Sequence, residues 1–258
     1  MTANFDGIAN KFDKNIYGTT KGKLRHHLLL HYLQSWLTCS TPLRVLDLGG
    51  GTGMMSLAFA AAGHKVTLVD SSDDVLEIAR QRLNEFTTTT LLKCDVMALG
   101  NMQHYDLVLC HAVLEWLDKP FDLLHKLTTE MRPDASLSLS FFNQHAMYFS
   151  NVLYGNFEYI AQGLKVRNKV RLNPHNPLSP SDVISYLQGL ENSQIVHQAG
   201  IRCFHDYMFD RSMQQSHFDH ILEQEIEYGC QHPYMWLGKY FHLMLTITDA
   251  SLCKNAQQ

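Results

Sequence analysis

Two neighbouring segments read Leu43-Arg-Val-Leu-Asp-Leu-Gly-Gly-Gly-Thr-Gly53 and Lys65-Val-Thr-Leu-Val-Asp70. Their apolar runs predict two buried strands, and the glycines between them predict a tight turn that can approach a ligand closely. We expect a helix over residues 54–62, ended by Gly63. Asp70 would then lie at the carboxyl end of the second strand, the edge at which such sheets bind ligands. An acid about 20 residues beyond a glycine loop can accept hydrogen bonds from ribose hydroxyls.

The spacing of the glycines separates two kinds of nucleotide-binding loop. A dinucleotide fingerprint needs G-x-G-x-x-G, which turns helix amides toward a pyrophosphate. Here the pattern is Asp47-x-Gly49-x-Gly51-x-Gly53, and Met54 stands where the third dinucleotide glycine would be. The pattern resembles the S-adenosylmethionine loop of class I methyltransferases, whose ligand has no pyrophosphate. The alternative is a glycine-rich turn between a strand and a helix that binds nothing.

Length and composition set the class of protein. A chain of 258 residues, 45% hydrophobic and 18% charged, is typical of one large α/β domain or of one domain with an insertion. The formal net charge of −4 argues against a generally basic nucleic-acid binder but leaves room for a local basic patch. The chain opens without a charged-then-apolar leader, and no segment reaches the ~20 apolar residues of a membrane span. We therefore expect a cytoplasmic protein.

Cysteines and histidines give no metal-site pattern. The six cysteines are scattered without a C-x-x-C pair, which favours free thiols over disulfides or zinc. His27 and His31 are one helical turn apart, as are His217 and His220 approximately, but neither pair has the further ligand that zinc requires. We predict no metal. The cysteines are Cys39, Cys94, Cys110, Cys203, Cys230 and Cys253.

Strand-like and helix-like segments alternate along the chain, which predicts a mostly parallel seven-stranded α/β sheet with helices on both faces. Thr19 or Thr20 can cap a helix that reaches residue 37, and an amphipathic helix is expected over residues 5–12. The predicted strands are 43–48, 66–69, 89–93, 106–110, 136–142, 195–203 and 240–248. The other predicted helices are 54–62, 72–83, 120–131, 181–190 and 214–228.

We interpret residues 1–258 as a single domain built from consecutive parts. Residues 143–180 do not continue the alternation of strands and helices; they contain aromatic residues, then basic residues, then prolines. We therefore expect an insertion after the fifth strand that is helical at first and then forms a loop. The parts are an N-terminal helical lid (1–38), a cofactor-binding core (39–142), an insertion for the substrate and tRNA (143–180), the C-terminal part of the core (181–248) and a tail (249–258).

Further short motifs, in both halves of the chain, resemble those of one family. Together they resemble the bacterial tRNA 5-carboxymethoxyuridine methyltransferases, from about residue 4 to residue 248. The words are Asn4-Phe-Asp-Gly-Ile-Ala-Asn-Lys-Phe12, Asn15-Ile-Tyr-Gly-Thr-Thr-Lys-Gly-Lys-Leu-Arg25, His111-Ala-Val-Leu-Glu-Trp116, Gly155-Asn-Phe-Glu-Tyr159 and Gly200-Ile-Arg-Cys-Phe-His-Asp-Tyr207. The resemblance implies a class I methyltransferase (Rossmann-like) fold with S-adenosyl-L-methionine as cofactor. It also implies conversion of the carboxylate on a modified wobble uridine into its methyl ester. The expected partner is the anticodon stem-loop of tRNA, with no DNA, membrane or obligate protein partner.

The same resemblance implies a set of cofactor-binding residues. The family holds its cofactor with an arginine, two glycines, an acid and a histidine that match Arg25, Gly49, Gly50, Asp70 and His111. The segment after the third strand contacts adenine in that family, and the matching residues here are Asp95, Val96 and Met97. Asp47 and Gly51 complete the predicted loop.

Two of these residues also carry a chemical argument of their own. Arg25 can form two parallel hydrogen bonds with the methionine carboxylate of the cofactor, so the N-terminal helices could act as a lid. The alternative is a solvated helix arginine. His111 follows the fourth strand, at the sheet edge where methyl transfer occurs in this fold class. The alternative there is a polar cap on the strand.

Methylation of a carboxylate needs no general base, since simple carboxyl groups with a pKa near ~4 are already ionised at neutral pH. The catalytic requirement is therefore alignment of the carboxylate with the methyl group. We predict that Arg202, His205 and Tyr207 hold the substrate carboxylate and that Tyr17 closes over it from the lid. Arg202 and Tyr207 could equally be ordinary strand residues.

A row of alternating basic residues marks a candidate RNA contact. In an extended segment Lys165, Arg167, Lys169 and Arg171 would project to one side, as a phosphate backbone requires. A solvated charged loop is the alternative.

The sequence is also compatible with two other functions. One is a methyltransferase for a free small carboxylic acid or other metabolite, and the other is a non-catalytic cofactor- or RNA-binding protein.

Overall fold

The computed structural model describes residue 7, residues 18–164 and residues 176–249. In these ranges one sheet contains seven strands, in the order β3-β2-β1-β4-β5-β7-β6. The strands are β1 Arg44–Leu48, β2 Lys65–Asp70, β3 Thr89–Lys93, β4 Leu107–His111, β5 Ser136–Phe142, β6 Ser193–Ile201 and β7 Tyr240–Ile247. β1 to β5 pair in parallel, whereas β7 runs antiparallel to both β5 and β6. The predicted mostly parallel seven-stranded sheet is confirmed.

Helices cover both faces of the sheet. They are α1 Thr20–Tyr32, α2 Gln34–Leu37, α3 Met54–Ala61, α4 Asp73–Arg82, α5 Pro120–Glu130, α6 Gln144–Leu153, α7 Phe157–Ala161, α8 Pro180–Gln188, α9 Met213–Ser216 and α10 Phe218–Tyr228. Successive residues of β1 belong to different apolar clusters because side chains alternate along a strand. Val45 packs with α1, α3, α4 and α10, whereas Leu46 and Leu48 pack with α5 and α8. No helix in the described ranges is long and apolar enough to cross a bilayer.

The N-terminal helix begins as predicted and ends earlier. The Thr19 side chain accepts a hydrogen bond from the Gly22 amide (3.2 Å) and caps α1. The single helix predicted to reach residue 37 is wrong at its end, because Leu33 leaves helical geometry and a separate short helix, α2, follows. The predicted helix over residues 5–12 lies outside the described residues, with only Gly7 seen.

Two other elements differ from their predicted bounds for local backbone reasons. Strand β6 ends at Ile201 and not at residue 203, because Arg202 adopts the left-handed region (φ +64°). The helix predicted over residues 214–228 is divided into α9 and α10, because His217 between them is not helical. After β5 the chain is helical, as expected, through α6 and α7. It then returns to the sheet edge at Leu178, which bridges Asn143.

Candidate active site

A pocket lies at the carboxyl edge of the sheet, where β1, β2 and β4 end. The start of β7 closes one side of it, because β7 is antiparallel and Tyr240 pairs with Phe142 at the end of β5. The residues predicted to hold the cofactor line this pocket with one exception, Met97. The lining members of that set are Arg25, Asp47, Gly49, Gly50, Gly51, Asp70, Asp95, Val96 and His111.

The glycine loop leaves no room for side chains at two positions. Gly49 has a φ of +67°, and a Cβ added to it would meet the side chain of Val113 at 2.6 Å. A Cβ on Gly50 would come within 2.7 Å of the carboxyl carbon of Asp47. Both amides donate to the carbonyl of Val69, at 2.8 and 3.1 Å, so the loop is fixed against β2. The turn is therefore a close-fitting backbone cradle.

The Asp70 carboxylate is oriented by the backbone on both sides. Its Oδ2 accepts the Gly51 amide (3.1 Å) and its Oδ1 accepts the Ser72 amide (3.0 Å). These two contacts fix the orientation of the carboxylate, and Asp70 lines the pocket. The geometry suits a pair of vicinal hydroxyls such as those of a ribose.

Asp47 is a second acid beneath the loop, and it is buried. Its Oδ2 accepts a hydrogen bond from the Ser56 hydroxyl (2.7 Å). Burial raises the pKa of Asp47 to about 6, while the contact with Ser56 opposes that rise. Asp47 thus supports the loop from below, and the more accessible acid at the pocket is Asp70.

His111 ends β4 and presents one nitrogen without a partner. Its Nε2 lies 2.7 Å from the Ser138 hydroxyl, which in turn lies 2.9 Å from Nε2 of His242. Its Nδ1 is buried and has no hydrogen-bond partner among the described residues. Burial, with repulsion from Arg25 and His26, lowers the pKa of His111 to about 3. The imidazole is therefore neutral and adds no positive charge to the pocket.

Arg25 reaches the pocket from α1. Its guanidinium carbon lies 5.2 Å from the centre of the Tyr240 ring, within the range of a cation–π contact. The side chain that sequence reasoning assigned to the lid is thus at the pocket wall.

The loop after β3 supplies Asp95 and Val96 to the lining. Met97 lies outside the lining, its side chain is exposed, and its amide donates to Oδ1 of Asp95 (2.8 Å). Met97 therefore contributes its backbone amide, which orients the side chain of Asp95.

The predicted carboxylate-binding residues lie together next to this pocket. Arg202 forms an ion pair with Asp206 (2.7 Å), and Nδ1 of His205 lies 2.8 Å from the same carboxyl group. Nε2 of His205 lies 3.0 Å from the Thr20 hydroxyl at the start of α1. Burial raises the pKa of Asp206, but Arg202 and His205 outweigh this effect and lower that pKa to about 2. Asp206 is therefore ionised, and it orders both candidate residues.

Tyr207 has its hydroxyl engaged with the backbone. The hydroxyl donates to the carbonyl of Leu237 (2.8 Å), and the ammonium of Lys239 lies 4.9 Å from the ring centre. Tyr207 thus offers its ring to the cluster, where we predicted a hydrogen-bond donor. Tyr17 and the basic row Lys165, Arg167, Lys169 and Arg171 lie outside the described residues.

Several residues of the site were not predicted from the sequence. Tyr240 and Lys239 reach this edge only because β7 inserts antiparallel beside β5. Asp206 was not among the predicted site residues, although it follows His205 directly and lies four residues after Arg202. No three His, Cys, Asp or Glu side chains gather as possible metal ligands in the part of the chain that the structure describes.

The comparisons with known proteins agree with this geometry. A family model described as "Methyltransferase domain" matches residues 22–205. The chain is similar in fold to the magnesium protoporphyrin IX methyltransferase of Synechocystis PCC 6803. Its structure with bound SAH has a TM-score of 0.61 at 18% identity, covering 95% of this chain and 96% of the other. The structure of that enzyme with bound SAM gives a TM-score of 0.59 at 16% identity, over 95% and 93% of the two chains. The predicted class I methyltransferase fold is confirmed, and the cofactor is S-adenosyl-L-methionine.

One relative matches almost end to end. The tRNA 5-carboxymethoxyuridine methyltransferase of Escherichia coli (strain K12) is 38% identical over 247 residues, which cover 93% of this chain and 94% of the relative. A match of this extent spans the cofactor loop and most of the second half of the chain. The chain therefore belongs to the family of tRNA 5-carboxymethoxyuridine methyltransferases.

Proposed function

We propose that the protein transfers a methyl group from S-adenosyl-L-methionine to the carboxylate of 5-carboxymethoxyuridine at the tRNA wobble position, giving the methyl ester. The observation that carries the proposal is the 38% identity over 93% of the chain to the Escherichia coli enzyme of that name. Arg202 beside the cofactor pocket supports it, because its guanidinium is a permanent cation and the acceptor group is an anion. Such an enzyme would work in the cytoplasm, where tRNA is found.

The residues at the pocket suit this chemistry. When bound, S-adenosyl-L-methionine supplies an electrophilic methyl group on a positively charged sulfur. The neutral imidazole of His111 does not repel that charge. Because the substrate carboxylate is ionised at neutral pH, the protein has to align it and exclude water, and proximity alone can contribute roughly 7–11 kcal/mol to the rate.

The cofactor roles follow the positions of the residues in the pocket. In this proposal Asp70 binds the ribose hydroxyls, Arg25 binds the methionine carboxylate, and the segment Asp95, Val96 and Met97 borders the adenine. The buried Nδ1 of His111, which has no partner among the described residues, is available to the cofactor or the acceptor. Arg202 and His205 hold the substrate carboxylate, and Tyr17 closes over it.

The direct test is an assay on modified tRNA. Purified protein is incubated with S-adenosyl-L-methionine and tRNA carrying 5-carboxymethoxyuridine, and the nucleosides are separated by mass spectrometry. We expect a nucleoside heavier by one methyl group that mild base converts back to the acid. The same tRNA transcript without the modification is the control and should gain nothing. Absence of product on tRNA, combined with turnover of small carboxylic acids, would replace this proposal with the metabolite function.

The basic row offers a test of RNA as the partner. Reversing two charges in the variant Lys165→Glu with Arg167→Glu should raise KM for tRNA about 10-fold or more and flatten its salt dependence, because two phosphate contacts would be lost. Its matched control reverses Arg44 and Lys65, which are exposed at the amino ends of β1 and β2, opposite the pocket. Steady-state kinetics at two salt concentrations measure both. An unchanged KM in the first variant would favour a small-molecule acceptor.

A further inference from the structure

Lys239 immediately precedes β7 and lies between the cofactor pocket and the cluster around Asp206. The next residue, Tyr240, lines the pocket. The backbone of Lys239 is fixed at the sheet edge, since its amide donates to the carbonyl of Arg202 (3.4 Å) and its carbonyl accepts the amide of Asn143 (3.1 Å). Its position is thus set by the sheet, at the edge where the acceptor must arrive.

The ammonium of Lys239 is held without being neutralised. It lies 4.9 Å from the centre of the Tyr207 ring, and that ring is fixed by the hydrogen bond from its hydroxyl to the carbonyl of Leu237. It forms no hydrogen bond or ion pair with any residue that the structure describes. The charged groups that face it there are Asp206, Arg202 and Lys21. Asp206 already pairs with Arg202 and His205, so its single negative charge is shared.

Arg202 has unused hydrogen-bonding capacity at the same place. One of its terminal nitrogens binds Asp206, whereas its Nε is buried and has no partner among the described residues. Its guanidinium carbon lies 5.7 Å from the centre of the Tyr240 ring, so Arg202 also borders the residue that lines the pocket. A buried N–H without a partner carries a desolvation cost that a ligand's acceptor atom would remove.

We infer that Lys239 and Arg202 together form the receptor for the carboxylate of the substrate, with Tyr207 positioning the ammonium. The inference rests on the proposed function and names the residue that recognises its acceptor group. An excess of positive charge beside the pocket favours an anion. A methyl ester is uncharged, so the receptor would bind the substrate more tightly than the product. Sequence reasoning had placed Arg202 here and had missed Lys239.

Loss of Lys239 should affect KM and kcat differently, because methyl transfer removes the charge of the acceptor. As the carboxylate oxygen forms its bond to the methyl carbon, the methyl–sulfur bond breaks, its electron pair stays on sulfur, and the negative charge of the carboxylate disappears. A cation that binds the carboxylate therefore interacts more strongly with the ground state than with the transition state. Removing Lys239 should therefore raise KM without lowering kcat.

The test compares Lys239→Met with Lys239→Arg on tRNA carrying 5-carboxymethoxyuridine. Lys239→Met should raise KM about 10- to 100-fold, the loss expected for one charge-assisted hydrogen bond, with kcat no lower than that of the wild type. Lys239→Arg should retain most of the affinity. Lys65→Met, at the amino end of β2 and opposite the pocket, is the matched control. S-adenosylmethionine affinity, measured by calorimetry, should be unchanged in every variant, which also shows that each one folds.

The pH dependence supplies a readout that a merely structural lysine would not give. Burial lowers the pKa of Lys239 to about 8, opposed by Asp206 and assisted by Arg202 and Lys21. In the wild type kcat/KM should therefore fall as pH rises through about 8, because the free enzyme loses the ammonium. In Lys239→Arg that fall should move to higher pH, since arginine stays charged.

The outcomes separate this inference from the function on which it rests. Methylated tRNA from the wild type together with a wild-type KM in Lys239→Met would overturn the carboxylate receptor and leave the function standing. A wild-type pH profile in Lys239→Arg would also overturn it. If the wild type itself makes no product on tRNA, the proposed function fails before Lys239 is tested.

Discussion

Replacing Asp70 with alanine should weaken the binding of S-adenosyl-L-methionine about 100-fold or more. Asp70 lines the pocket, and the amides of Gly51 and Ser72 fix the orientation of its carboxylate. Two hydrogen bonds from ribose hydroxyls to a charged acceptor contribute about 1.5–3 kcal/mol each. Isothermal titration calorimetry with S-adenosyl-L-methionine measures the change directly.

Two further variants make the result interpretable. Asp70→Asn keeps the size of the side chain and removes its charge, so its affinity should fall between those of wild type and Asp70→Ala. Asp73→Ala changes an exposed acid three residues along, in the first turn of α4, and should bind S-adenosyl-L-methionine like the wild type. Affinity within about 3-fold of wild type in Asp70→Ala would contradict the assigned ribose contact.

The Glu225→Ala variant should lower the free energy of unfolding by roughly 3–5 kcal/mol. This is the largest loss of stability that we expect from replacing a single buried side chain in this protein. Glu225 on α10 is buried, and its carboxylate accepts the amides of Cys203 (2.6 Å), Phe204 (2.9 Å) and His205 (3.0 Å). Alanine would remove the acceptor of three amides, two of them in buried hydrogen bonds. Urea unfolding followed by circular dichroism measures the loss.

Glu225→Gln and Glu223→Ala are the matched controls. The glutamine retains one acceptor oxygen and turns an NH₂ group toward the amides, so it should destabilise less than alanine. Glu223 is exposed on the same helix, and its removal should change stability by no more than about 0.5 kcal/mol. If Glu225→Ala were as stable as Glu223→Ala, the carboxylate would not be what holds this turn.

The same turn links stability to the site. Glu225 holds the residues that follow Arg202, whose left-handed backbone (φ +64°) turns the chain away from β6. Such a backbone conformation costs free energy in a non-glycine residue and persists only when its surroundings enforce it. Loosening the turn should therefore displace Arg202 and His205, and the assay on tRNA should show a raised KM in Glu225→Gln even where the protein stays folded.

The cofactor half of the site could be predicted from the sequence because its determinants are local. The glycines at 49 and 50 lie between a strand and a helix whose periodicities are plain in the chain, and Asp70 ends the next strand. Parallel strands joined by helices place their carboxyl ends at one edge, so the argument from spacing to pocket needs no long-range knowledge. The lining of the pocket follows that expectation, with Met97 as the exception.

The substrate half depended on contacts that no local pattern encodes. Strand β7 inserts antiparallel between β5 and β6, and only this insertion brings Lys239 and Tyr240 to the same edge as His111. Likewise, Glu225 reaches the amides of residues 203–205 from a helix about 20 residues further along the chain. Local turns and periodicity are therefore enough to predict the cofactor loop and Asp70, and the family follows from its motifs, which resemble those of known members. The charges that surround the acceptor could not be predicted in this way, because they depend on which distant segments share one edge of the sheet.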